Sequence, residues 1–163
     1  MAHLELDDRG VVIPCPACGQ KNRVAYARLG SAVKCGRCKT ELSATATPLE
    51  VASSADFDTL VAQSAIPIVV DYWAPWCGPC RVVAPELAKV AARSGGKFLV
   101  VKVNTDALPD LGERYRIRSI PTMAVFFGGR EVTRTTGARP AADIERFVSS
   151  AVANTHTQRA TSP

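Results

Sequence analysis

Six cysteines fall into three C-x-x-C pairs: Cys15 and Cys18 in "CPAC", Cys35 and Cys38 in "CGRC", and Cys77 and Cys80 in "WCGPC". This spacing supports two chemistries. Two thiolates on one tight turn supply half of a tetrahedral zinc site, and a second such turn completes it. Two nearby thiols can instead cycle between dithiol and disulfide, passing two electrons to another disulfide. Sixteen residues separate Cys18 from Cys35, inside the window of about 15–20 that joins two zinc knuckles. Gly19 and Gly36 permit tight turns, and Pro14 and Pro16 stiffen the first. Four cysteines leave no open coordination position, so the expectation is one structural Zn2+ per chain rather than a catalytic metal. Two exposed dithiols without metal would leave so short a segment with no means of folding.

Cys77 lies 39 positions beyond Cys38 with no second knuckle near it, and the two histidines, His3 and His156, sit near the chain ends. The third pair stands where an apolar run gives way to a helical pattern. Amides and dipole at a helix start favour an anion, so Cys77 is expected to be an acidic thiol. Cys80, one turn further in, is expected to be less exposed and placed to attack a sulfur bonded to Cys77. Gly78 and Pro79 set a stiff helix start, and Trp76 can shield the pair. A buried structural dithiol is the alternative, but C-x-x-C beside a βαβ pattern outside an oxidising compartment favours redox work. Asp71 is a lone carboxylate in an otherwise apolar strand. It is either a hydrogen-bonded structural group or a proton acceptor, and burial should raise its pKa.

The elements that must position these groups follow from periodicity. "SSADFDTLVAQS" opens with Ser53 three residues before Asp56 and puts Phe57, Leu60 and Val61 on one face, a capped helix. "IPIVVDYWA" and "KFLVVKVNTD" are continuous apolar runs, as strands buried on both faces require. "CRVVAPELAKVAARSGG" reads as a helix interrupted by Pro85, "ALPDLGERYRI" as a short helix or loop, and "TMAVFFGGREVTRTTG" as a hairpin. A last helix buries Ile144, Phe147, Val148 and Val152. The order αβαβαββα predicts an α/β fold with a mixed sheet covered by helices on both faces. The expected division is a metal-binding module over 1–45, a linker at Ser43–Glu50, a main domain over 50–152, and a flexible tail over 153–163.

Composition narrows the partners. The net charge of +5 divides as +3 over residues 1–45 and +2 over the rest, with no run of like charges, so nucleic-acid binding is not indicated. Lys21, Arg23, Arg28, Lys34, Arg37 and Lys39 give the first module charge, but Tyr26 is its only aromatic, a weak case for a nucleic-acid-docking role. "MAHLELDDRG" has no apolar segment of a secretory signal, and no run is long enough to span a membrane. The expected setting is the reducing cytoplasm, and the expected state a monomer.

"VVDYWAPWCGPCRVVAPEL", "VVKVNTD", "SIPTMAVFFGG" and "TTGA" resemble the motifs of the thioredoxin family, in the family's order, over residues 50 to 152. "CPAC…NRV…RLG…KCGRC" resembles the zinc ribbon preceding that fold in thioredoxin 2. The resemblance implies a thioredoxin fold preceded by a small zinc ribbon, with Cys77 as nucleophile and Cys80 as resolving thiol. It implies that Asp71 is the buried carboxylate behind them and that Ile120–Pro121 is a cis bond flanking the pair. Lys102 is similar to the family's lysine near that carboxylate, or is a strand residue reaching for solvent. Trp76, Gly78, Pro79, Ile120, Pro121, Gly137 and Ala138 would form the rim that receives an extended substrate segment. Arg114, Arg116 and Arg118 precede the proline loop and either make that rim more basic or are simply solvated. The implied activity is reduction of protein disulfides, with electrons returning from NADPH through a thioredoxin reductase. An oxidase or isomerase would carry a more polar or histidine-bearing inner dipeptide than Gly78–Pro79.

Overall fold

The computed structural model describes residues 4–160. Its centre is a five-stranded mixed sheet in the order β10-β9-β7-β8-β6. Strands β6 (Leu49–Glu50), β7 (Ile68–Trp73) and β8 (Leu99–Asn104) run parallel, β9 (Thr122–Phe127) runs antiparallel to β7, and β10 (Arg130–Thr136) runs antiparallel to β9. β7, predicted to be buried on both faces, is solvent-free from Ile68 to Tyr72. Its alternating side chains feed two cores. Val70 and Tyr72 join Phe57, Leu60 and Leu111 beneath α1 (Ser54–Gln63) and α3 (Pro109–Arg114). Val69 joins Val83, Leu87, Ile144 and Val148 beneath α2 (Gly78–Ala92) and α4 (Ala141–Ala160). The predicted cap is present, with Ser53 Oγ accepting from the Asp56 N–H at 3.1 Å.

The N-terminal segment is built of strands that its polar sequence does not announce. β1 (Glu5–Asp7), β2 (Gly10–Pro14) and β3 (Lys21–Ala25) form an antiparallel sheet, and β4 (Val33–Lys34) pairs with β5 (Glu41–Leu42). This segment is not a separate body on a linker. Val11, Ile13, Val24, Tyr26 and Leu29 are buried in the same core as Phe57 and Leu60. Tyr26, on a 3-10 turn, accepts the Ala65 N–H at its carbonyl and donates its hydroxyl to Asp7 O at 2.5 Å.

Two further features depart from the expected boundaries. The stretch Ser43–Glu50, expected to be a linker, contains β6, an edge strand of the main sheet with Leu49 buried. At the other end, α4 continues through Ala160 instead of ending near 152. Ala151 and Thr155 extend the buried stripe of Ile144 and Val148 at helical spacing, and the Thr155 hydroxyl donates to Val152 O at 2.6 Å. His3 lies outside the described residues.

Candidate functional site

The third cysteine pair sits where β7 ends and α2 begins. Cys77 is the N-cap of α2 and Cys80 lies in its first turn, with Pro79 beside them at the helix start. Cys77 and Cys80 are joined as a disulfide, and Cys77 Sγ accepts the Cys80 N–H at 3.2 Å. A sulfur at that place is the counterpart of an N-cap oxygen: it satisfies an unpaired amide and, when reduced, lies at the positive end of the helix. Exposure does not separate the two as expected, since Cys77 is 3% and Cys80 4% exposed in the disulfide form. What distinguishes them is position: Cys77 is at the cap and 3.8 Å from Ile120 O, while Cys80 is inside the helix.

The rim around the disulfide is assembled from three loops. Ile120–Pro121 is cis, and Pro121 O accepts the Gly137 N–H at 2.9 Å, which joins the two loops. Trp76 is 69% exposed, its indole N–H donating to Asp106 Oδ1 at 3.3 Å. Asp106 was not singled out in the sequence, where an acidic loop residue carries no signal. A groove of about 350 Å3 opens between Trp76, Ile117, Arg118 and Ile120. Arg118 therefore belongs to the rim, and Arg116 lines the adjoining hollow. Arg114 is tied to Asp58 at 2.5 Å and serves the scaffold.

Asp71 is 1% exposed, and its Oδ1 has no hydrogen-bond partner. Burial pushes its carboxyl up to about 7, against the pull of Lys102 and with the help of the Glu50 charge. Lys102, on β8, is the register partner of both Asp71 on β7 and Glu50 on β6. Its ammonium lies 4.6 Å from the centre of the Trp73 ring, a cation–π contact. The Trp73 indole N–H donates to Glu50 Oε1 at 3.1 Å. Glu50 was missed at the sequence level because only strand pairing brings it to Lys102.

The other four cysteines also converge. Cys15, Cys18, Cys35 and Cys38 place their sulfurs within 4.8 Å of one another. Cys15 Sγ is 3.5 Å from Cys38 Sγ, and Cys18 Sγ is 3.6 Å from Cys35 Sγ. Tetrahedral zinc with bonds near 2.3 Å requires sulfur separations of about 3.8 Å, so the donor set fits. The two knuckles repeat one another. Cys15 N–H donates to Gln20 O (2.8 Å) and Gly19 N–H to Cys15 O (2.9 Å), while Cys35 N–H donates to Thr40 O (2.8 Å) and Lys39 N–H to Cys35 O (3.0 Å). Gly19 and Lys39 hold the same left-handed conformation, at φ 77° and 66°. Asn22 links the knuckles, accepting the Gly36 N–H at 2.9 Å and donating to Cys35 Sγ at 3.5 Å. The Cys38 N–H, with the Arg37 N–H and the Asn22 amide, draws the Cys35 thiol down to about 6, toward the thiolate that a metal needs.

The thioredoxin family profile matches residues 48–150. The chain belongs to the thioredoxin family. A second profile, described as the N-terminal part of thioredoxin 2, matches residues 14–40, so this thioredoxin carries the family's zinc-ribbon module ahead of the fold. It is 36% identical over 140 residues to thioredoxin M4, chloroplastic, of Arabidopsis thaliana, covering 86% of this chain and 71% of that one. It is 45% identical over 100 residues to a thioredoxin of Synechocystis, covering 59% of this chain and 94% of the relative. A mutant thioredoxin from Halobacterium salinarum superposes with a TM-score of 0.62 at 23% identity, over 68% of this chain and 96% of that one, a likeness of fold. As a thioredoxin the chain is a thiol–disulfide oxidoreductase. No helix among the described residues is long and apolar enough to cross a membrane.

Proposed function

We propose that this thioredoxin reduces disulfides in cytoplasmic proteins through Cys77 and Cys80, with Asp71 as proton acceptor for the second step. The observation that carries this is Cys77 Sγ accepting the Cys80 N–H at the start of α2, beside the Ile120–Pro121 ridge. In the reduced protein the Cys77 thiolate attacks one sulfur of a substrate disulfide. That S–S bond breaks, a Cys77–substrate disulfide forms, and the leaving thiolate takes a proton from water. Cys80 then gives its proton to Asp71, directly or through water, and attacks Cys77 Sγ. The second substrate thiolate leaves, and the Cys77–Cys80 disulfide closes with two electrons transferred. Trp76, Gly78, Pro79, Ile120, Pro121, Gly137 and Ala138 form the shallow surface along which an extended substrate segment lies.

The oxidised pair is returned to the dithiol by an NADPH-linked thioredoxin reductase. The ribbon, residues 1–45, holds one zinc through Cys15, Cys18, Cys35 and Cys38. When bound, the metal supplies folding energy to a segment short of apolar residues, and no step of the thiol exchange passes through it. Cytoplasmic placement is supported by the ribbon thiols, which need reducing surroundings to stay metal-competent.

The experiment is reduction of insulin disulfides with NADPH and a thioredoxin reductase, on protein whose zinc content is measured on the same sample. Turnover that disappears in Cys77→Ser is the expected result. Turnover that survives it overturns the assignment.

A further inference from the structure

The sheet face under α2 carries charge in only one row. Glu50 on β6, Lys102 on β8 and Asp71 on β7 are consecutive register partners, and the row continues through Met123 on β9 to the uncharged Thr135 on β10. Partners in register project from the same face of a sheet, so the order across it is carboxylate, ammonium, carboxylate. α2 and α4 cover this face with Cys80, Val83, Leu87, Ile144 and Val148, so besides Cys77 and Cys80 they bring no titratable group inward. With all three groups ionised the row carries a net single negative charge in a poorly solvated place. Such a row is relieved by holding one proton.

The geometry points to Glu50 as a positioning residue for the resolving step: anchored by the Trp73 indole N–H, it shares the Lys102 ammonium with Asp71 and so directs the row's single proton to Asp71. Three observations lead there. Lys102 lies over the Trp73 ring, whose N–H is bonded to Glu50, so one indole places the cation and the outer carboxylate together. Asp71 Oδ1, by contrast, has no partner, although Lys102 stands opposite on the neighbouring strand. And Glu50 is exposed where Asp71 is buried: desolvation raises its carboxyl too, but Lys102 and the Trp73 N–H pull it back, so the outer carboxylate keeps its charge more easily and the proton settles inside. A lysine wholly committed to Asp71 would keep that carboxylate ionised. A shared one leaves it able to carry a proton at neutral pH and to accept one from Cys80.

Glu50 also lines the crevice between the ribbon and the main domain, with Pro14, Pro16, Leu42 and Pro48. The ribbon is thus a wall of the outer carboxylate's surroundings, which gives a residue outside the active-site motif a route to the site.

This inference rests on Asp71 being the proton acceptor, and the test separates the two. Glu50→Gln keeps an oxygen for the Trp73 N–H and removes one negative charge. Asp71 lies roughly 10 Å from Glu50, two inter-strand spacings, so the loss of charge and the release of Lys102 should lower the Asp71 titration midpoint by about half to one pH unit. The midpoint is read from the side-chain carboxyl carbon by NMR in the oxidised full-length protein. The pH profile of the resolving step, followed by rapid mixing with a preformed mixed disulfide, should move to lower pH by the same amount. An unmoved Asp71 midpoint overturns the role of Glu50. A lowered midpoint with an unmoved rate profile keeps the charged row and overturns Asp71 as the acceptor.

Discussion

Asp71 and Lys102 face one another across β7 and β8, yet Asp71 Oδ1 is buried without a hydrogen bond and the lysine lies over Trp73 instead. The carboxyl is consequently raised from an ordinary 3.8 to about 7, chiefly by burial. Between those two values the folded chain holds a proton that the unfolded chain has released, so this group makes stability fall as pH rises from about 4 to about 7, and not beyond. At ~1.4 kcal/mol per pH unit the burden at pH 8 is about 4 kcal/mol. Asp71→Asn removes it but leaves a buried amide short of partners, at about 1–3 kcal/mol. Urea unfolding should find the variant about 1–3 kcal/mol more stable than the parent at pH 8 but less stable than the parent at pH 4, a swing of about 4 kcal/mol because the cost of the amide is the same at both. The same relative stability at both pH values would mean that Asp71 ionises freely.

The same substitution separates the two chemical steps. Loss of a proton acceptor slows a step that needs it by about 10²–10⁴-fold. Cys77, capping α2, is activated by the helix, whereas Cys80 must be deprotonated within the site. Asp71→Asn should therefore slow resolution of a preformed mixed disulfide far more than the first attack. Equal retardation of both in rapid-mixing experiments would assign Asp71 a structural role alone.

The features that were legible are those whose signal is local. Cysteine spacing marked both knuckles and the redox pair, Ser53 marked the start of α1, and an unbroken apolar run marked β7. Strand β6 was hidden because two residues cannot show a period, and Glu50 because its meaning lies in register with Lys102, 52 positions away. The ribbon strands were hidden by exposed polar side chains: along β3 only Val24 is buried. Thr155 concealed the continuation of α4, since a buried threonine that bonds its own helix looks in the sequence like a loop residue.

The division of labour between the two sulfurs follows from cap against helix interior. Cys80→Ser should leave Cys77 able to attack but unable to release, so a mixed disulfide with substrate accumulates on a non-reducing gel. Cys77→Ser should trap nothing. Trapping by the second variant alone would reverse the assignment.

Gly30 marks where the ribbon meets the main domain. Its φ is +88°, and a Cβ there would lie 2.7 Å from Gly96 O and 2.8 Å from Ile66 Cγ2. Gly30→Ala must strain the backbone and push the two layers apart, at about 2–3 kcal/mol. The melting temperature should drop by roughly 5–10 °C. Gly30 is remote from the disulfide in the fold, at the end of α2 opposite Cys77, so the rate of insulin reduction per folded molecule should stay at the parent's value. An unchanged melting temperature would show that this contact is not held in solution.

Tyr26 and Leu29 share one core with Phe57 and Leu60, so metal loss in the ribbon should be felt in the main domain. The zinc ligands must be thiolates, and a metal that binds only the folded chain stabilises it by mass action. Cys35 receives the N–H groups of Arg37 and the Asn22 amide and is fully buried, which makes it the ligand least replaceable by water. Cys35→Ser should reduce bound zinc from one per chain to near zero by metal analysis. Because the ribbon contributes part of the core beneath α1, the cooperative melting of the whole chain should also fall, by roughly 5–10 °C or about 2–3 kcal/mol. A strong chelator acting on the parent should give the same shift, and added zinc should reverse it. Full zinc content in Cys35→Ser would remove this cysteine from the ligand set. Zinc lost with melting unchanged would mean that the shared core holds without the metal.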